Sequence, residues 1–168
     1  MSIRDKSRVP ALLKELELIE KKSLQIGIFG EDDSDILMIA RVHEFGVKVT
    51  VTPKMRGYLS AVKDIHLKAD TTHINIPERS YIRAGFDFNQ NKFMQQGKVL
   101  IERVIEGKIT AHRMFELLGE YLSGAIKQYA TNLSKPPLSN ITIENKGSSN
   151  PLIDTGRMRD SITYKVVG

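Results

Sequence analysis

Cysteine is absent from this 168-residue chain, which removes disulfides, thiol catalysis and cysteine-based zinc sites together. No apolar run approaches the roughly 20 residues that a membrane helix requires. Met1–Pro10 is too charged for a secretory leader, so the expected location is the cytosol in which the chain is made. Internal repeats and low-complexity tracts are missing as well. Catalytic motifs are equally scarce. His43-Glu44 looks like the opening of a helical zinc-protease motif, but Val47 stands where the second histidine would share the helix face. His66, His73 and His112 have no carboxylate or histidine at ligand spacing. No glycine-rich loop ends in the Gly-Lys-Ser/Thr that cradles phosphate, and no serine occupies a nucleophile elbow. The sequence therefore offers no catalytic, cofactor-binding or metal-binding residue and predicts a protein that is not an enzyme.

What is present is the composition of one folded domain spanning residues 1–168. The chain is 40% hydrophobic and 27% charged, and a chain of this length buries about two-thirds of its unfolded surface. The net charge is +5, and its excess sits in the middle, where residues 46–86 hold seven basic and three acidic side chains, and at the end, where residues 133–168 hold five and three. No Lys/Arg block and no basic stripe interleaved with aromatics accompanies that excess, so a mixed, partner-facing surface is favoured over a nucleic-acid site.

Periodicity sorts the chain into helices and strands. Val9, Leu12, Leu13, Leu16 and Ile19 recur at helical spacing, and Leu24, Ile26 and Ile28 then alternate as a half-buried strand. The acidic run Glu31-Asp32-Asp33-Ser34-Asp35 opens a second helix that ends with Phe45 in the core and Gly46 at the C-cap. Val47, Val49 and Val51 form another strand, and Thr52-Pro53 starts a short helix. A polar stretch returns through Ile74 and Ile76 to Pro77. From about Ser80 two long helices follow, broken at Glu106-Gly107-Lys108, with Thr110 capping the second and Phe115, Leu118, Leu122, Ala125 and Tyr129 on its apolar face. The tight turn between them predicts an antiparallel helical hairpin. Ser, Pro, Asn and Gly dominate Leu133–Pro151, a composition that cannot offset an ordering cost of about 1–2 kcal/mol per residue. That loop is expected to be mobile in the isolated protein and ordered in an assembly. The fold class is therefore α+β. An antiparallel sheet that includes Leu24–Phe29, Val47–Thr52 and Ile162–Val167 is expected to pack on the helix near Thr110–Asn132.

Three segments carry a family resemblance. They are Ala40-Arg41-Val42-His43-Glu44-Phe45-Gly46 before a valine-rich strand, Ile76-Pro77-Glu78-Arg79-Ser80-Tyr81-Ile82-Arg83-Ala84-Gly85-Phe86 leading into a long helix, and Pro151 to Val166 preceded by Lys146-Gly147-Ser148. In order and spacing they resemble tailed-phage virion morphogenesis and tail-completion proteins over residues 36–168. Ser80 stands where many relatives have proline, a swap between a residue that caps helices and one that starts them.

The resemblance implies a structural protein of the phage or prophage neck or tail. Such a protein completes the tail or joins it to the head as part of a homo-oligomeric ring, although the isolated chain can be a monomer. Its partners would be other neck and tail proteins, with no cofactor, no membrane and no nucleic acid. It would be assembled in the host cytoplasm and end in the virion. The matching turns bear Arg79, Arg83, Asp154, Arg157 and Arg159, which become the candidate interaction residues because guanidinium groups suit interfaces. Each also has a local reading. Arg79 and Arg83, one helical turn apart, can pair with Glu78 or Asp87, and Asp154 can bond the backbone of its own turn. Two other classes stay open. A basic nucleic-acid-binding module would show steep salt dependence. A small hydrolase or toxin-like enzyme would show a pocket lined by His43, Glu44 and His73.

Overall fold

The computed structural model describes residues 7–30, 34–137 and 156–168. In chain order the elements are α1 (Val9–Lys21), β1 (Ser23–Gly27), α2 (Ser34–Phe45), β2 (Val47–Thr50), α3 (Pro53–Lys63), β3 (His73–Ile76), α4 (Arg83–Ile105), α5 (Ala111–Asn132), α6 (Arg157–Asp160) and β4 (Thr163–Val167). The class is α+β, with small antiparallel sheets against long helices.

Local chemistry sets most boundaries. Thr52 is extended and its hydroxyl accepts from the Met55 amide at 3.1 Å, while Pro53 supplies the first helical residue of α3. Thr110 does the same for α5, accepting from the Arg113 amide at 3.2 Å. A second group reaches α5 from far away, since the Glu15 carboxylate of α1 accepts from the Ala111 amide at 2.6 Å. Between α4 and α5 the chain reverses at Gly107, and the two helices form the expected hairpin. Gly46 ends α2 in the left-handed region (φ +68°), where an added Cβ would lie 2.7 Å from the Glu78 amide nitrogen.

The strands pair differently from the sequence-based expectation of one sheet. β1 pairs antiparallel with β4, bringing Leu24 opposite Val166 and Ile26 opposite Tyr164, and this ribbon packs on α5. Among the described residues β2 pairs only with β3, as a second two-stranded sheet in which Val49 faces Ile74. The chain between β2 and β3 is closed on itself by Arg56, whose guanidinium donates to the carbonyls of Leu67, Lys68 and Thr71 at 2.7–3.0 Å. Alternation tells a strand which face to bury but not which neighbour to take: β2 takes the strand nearer in sequence, whereas β1 takes one from the far end of the chain.

The core has two centres. One gathers Ile36, Ala40, Tyr81, Ile126, Met158 and Ile162 between α2, α5 and the C-terminal turn. The other joins Leu100 and Val104 of α4 to Met114 and Phe115 of α5. Gly119 lets β4 close on α5, since a Cβ there would sit 2.3 Å from the Tyr164 ring. The expected mobile loop lies outside the described residues from 138 to 151, and so does Asp154.

Candidate interaction site

The site begins with the inner face of α2. Ile36, Ala40 and Glu44 are four residues apart, so they stack on one side of the helix, and all three are buried. Phe45, expected in the core, is instead 61% exposed. One residue further round the helix turns it about 100° from Glu44, away from the face that Ile36 and Ala40 have already committed to the interior. A carboxylate therefore occupies the buried position.

Burial of Glu44 is tolerated because donors surround it. Its Oε1 accepts from the Ser80 hydroxyl at 2.8 Å, the Arg83 amide at 3.1 Å and Arg83 Nε at 3.0 Å. Its Oε2 accepts from the Tyr81 and Ile82 amides at 2.9 and 3.0 Å. These amides belong to the start of α4, whose N-cap Ile82 has no side-chain cap of its own. Glu44 supplies that cap from another helix, and its negative charge faces the positive end of a 23-residue helix. Desolvation pulls the Glu44 pKa upward, but the hydrogen bonds from Ile82, Arg83, Ser80 and Tyr81 outweigh it and hold the carboxyl below its ordinary range. Burial, with the Glu44 charge adding to it, pushes the neighbouring Tyr81 phenol up. The Ser80 hydroxyl is one of five donors to this carboxylate, so the contact helps fasten the start of α4 to α2.

Arg83 works on both sides of this junction. Its Nη2 donates to the Glu44 carbonyl at 2.9 Å and to Glu78 Oε1 at 2.8 Å, and its guanidinium lies over the Phe45 ring at 4.8 Å. The expected Arg83–Glu78 pairing is thus present. Arg79 differs from expectation. It lies in the irregular lead-in to α4, not one helical turn before Arg83, and it is only 4% exposed. Its Nε and Nη2 donate to the Pro136 and Pro137 carbonyls at 2.8 and 2.9 Å, and its amide bonds the His43 carbonyl at 2.7 Å. Arg79 thereby ties α2, the start of α4 and the chain after α5 together, and its guanidinium is unavailable for a contact on this chain's surface.

The second arginine-bearing turn is α6. Gly156 opens it in the left-handed region (φ +79°), and Met158 and Ile162 anchor it in the core that α2 shares. Arg157 is exposed, and Arg159 is held by Asp160 at 2.8 Å. That bond to Arg159 is the main reason the Asp160 carboxyl lies below its ordinary range.

The histidines do not converge. His73 is exposed on β3 with Nδ1 2.9 Å from the Thr72 hydroxyl, and neither His43 nor His73 lines the pocket that Glu44 borders. Among the described residues no group of three or more His, Asp or Glu is placed to hold a metal ion. Sequence reasoning missed Glu44 as the centre of this site and missed the inward turn of Arg79. The four-residue spacing Ile36-Ala40-Glu44 was the available signal for the first. No family model matches the chain, and neither a curated protein nor a solved structure matches it.

Proposed function

We propose that this protein is a structural component of a tailed-phage neck or tail, acting within an oligomeric ring that completes the tail or joins it to the head. It is assembled in the host cytoplasm and carried into the virion. One observation supports the reading most. Two of the three segments that carry the family resemblance, separated by 29 residues of intervening chain, meet at Glu44, whose carboxylate accepts five hydrogen bonds from the second segment. On this reading the shared residues build a hydrogen-bonded junction between α2 and the start of α4. Large apolar side chains left outside, among them Met38, Phe45, Phe88 and Met94 at 60–73% exposure, offer surface for neighbours in a particle.

The test is charge reversal at the α6 turn. Arg157→Glu, Arg159→Glu changes exposed or half-exposed groups, so stability should stay within about 1 kcal/mol of the parent. In a phage lacking its own copy, the variant should yield unjoined heads and tails and few infectious particles. Normal particle yield from the folded variant would remove that turn from the interface. A metal- or substrate-dependent turnover by the pure protein would overturn the assembly reading.

A further inference from the structure

The helical hairpin leaves a cleft of about 510 Å³ between the first turns of α4 and the last turns of α5. Its platform is a pair of rings. Phe88 of α4 is 73% exposed, and its centroid lies 5.6 Å from that of Tyr129 on α5, with the planes tilted by 44°. Tyr129 lies this close to α4 because Gly85 has no side chain: a Cβ there would come within 3.2 Å of the ring. Phe88 belongs to neither core cluster. A ring braced on one side and open to solvent on the other is a surface on which a flat aromatic group can stack.

The polar groups around that platform are cationic or amide. Lys92 follows Phe88 by one helical turn, and Lys135 borders the cleft from the chain leaving α5. Among the described residues no carboxylate lines the cleft, and Asp87 borders a different cavity beside β1. The sequence itself has no Asp or Glu from Phe88 to Ile101 or from Tyr121 to Lys135. Gln128 Nε2 donates to Asn132 Oδ1 at 3.3 Å, which leaves Gln128 Oε1 as an acceptor beside Asn132 Nδ2 as a donor. Asn89 is only 7% exposed, and with its Nδ2 given to the Gly85 carbonyl at 2.8 Å, its Oδ1 is a further acceptor. A stacking face, two cations and adjacent amide donors and acceptors match the three parts of a nucleotide: base ring, phosphate and base edge.

We infer that this cleft binds single-stranded nucleic acid, with a base stacked on Phe88 and the flanking phosphates at Lys92 and Lys135. A duplex does not fit, because its bases are stacked on one another and present no free face. A free nucleotide fits less well than a strand: a small-molecule pocket buries about 70–90% of its ligand, whereas Phe88 stands mostly in solvent. Phe88 and Tyr129 sit on different helices, so the sequence shows no linear stripe of aromatic and basic residues although the fold assembles one. The inference goes beyond the assembly reading above and does not depend on it.

The chain has no tryptophan, so Phe88→Trp places a single indole on the platform. A thymidine oligomer of about 12 nucleotides, within the length of single-strand sites, should quench its fluorescence saturably. Phe88→Ala should weaken binding of a labelled oligomer about tenfold by anisotropy, with the melting temperature unchanged because the ring is exposed. Lys92→Gln, Lys135→Gln should flatten the slope of log K against log salt by about 1.4, at about 0.7 for each of two phosphates. An unquenched indole in the folded Phe88→Trp protein overturns the inference. Equal binding of an abasic oligomer of the same length would mean attraction by charge alone and overturns it too. So does thymidine monophosphate or duplex DNA binding as tightly as the strand, or a Glu-Tyr polymer displacing it, which would give the cleft to a protein partner. Each of these results leaves the assembly reading standing, because particle yield from the Arg157→Glu, Arg159→Glu variant tests that reading separately.

Discussion

Removing the Glu44 carboxylate tests whether one buried charge organises the junction between α2 and α4. Glu44→Ala leaves the Tyr81, Ile82 and Arg83 amides and the Ser80 hydroxyl without their acceptor, and leaves a gap behind a side chain that is 5% exposed. Breaking a buried, hydrogen-bonded charge typically costs about 3–5 kcal/mol. Here the lower end applies, because Ile82 is half-buried and Arg83 exposed, so water can reach part of the site. A loss of about 3 kcal/mol corresponds to a fall in melting temperature of about 6–12 °C for a domain of this size. Glu44→Gln keeps the shape but points an amide donor at backbone donors, and should cost about 2 kcal/mol. The pH dependence has a definite sign. The folded pKa of Glu44 is lowered from 4.5, so its stabilisation is complete above that value and is lost as pH falls through the folded pKa. The gap between parent and Glu44→Gln should therefore be full at neutral pH and close in acid. Urea unfolding at several pH values, with amide hydrogen exchange at Tyr81–Arg83, reads both effects. An alanine variant within about 0.5 kcal/mol of the parent, the usual range for surface substitutions, would refute the reasoning. So would a glutamine penalty that does not change with pH.

Two further outcomes follow from the packing. Arg79→Lys keeps the charge but cannot make the two-pronged contact to the Pro136 and Pro137 carbonyls, so it should lower stability by about 2 kcal/mol in urea melts. An unchanged midpoint would mean that this tie contributes nothing. Gly119→Ala should destabilise by about 1–3 kcal/mol despite the better helix propensity of alanine, because its Cβ would meet the Tyr164 ring. Adding Tyr164→Ala should recover the propensity gain, and failure to recover it would place the strain elsewhere.

The sequence by itself determined the elements whose causes are local. Thr52-Pro53, Thr110, Gly46 and Gly107 mark helix ends through backbone chemistry that acts within a few residues. Of the stripe Phe115, Leu118, Leu122, Ala125 and Tyr129 only Phe115 and Leu122 are buried, and the buried face of α5 continues through Gly119, Ile126 and Ala130 beside it. Tertiary structure decided the rest. Pairing of β1 with β4 joins Ser23 to Val167 across nearly the whole chain, and alternation alone carries no information about that partner. The exchange of Phe45 for Glu44 at the buried position depends on donors 36–39 residues away, which turn a costly buried charge into the cap of α4. Arg79 turns inward for the same reason: carbonyls of Pro136 and Pro137, 57 and 58 residues further on, are brought to it only when α5 has folded back along α4. Hydrophobic periodicity ranks side chains by their dislike of water, whereas a polar group is buried where distant partners satisfy it, and only the folded chain brings those partners together.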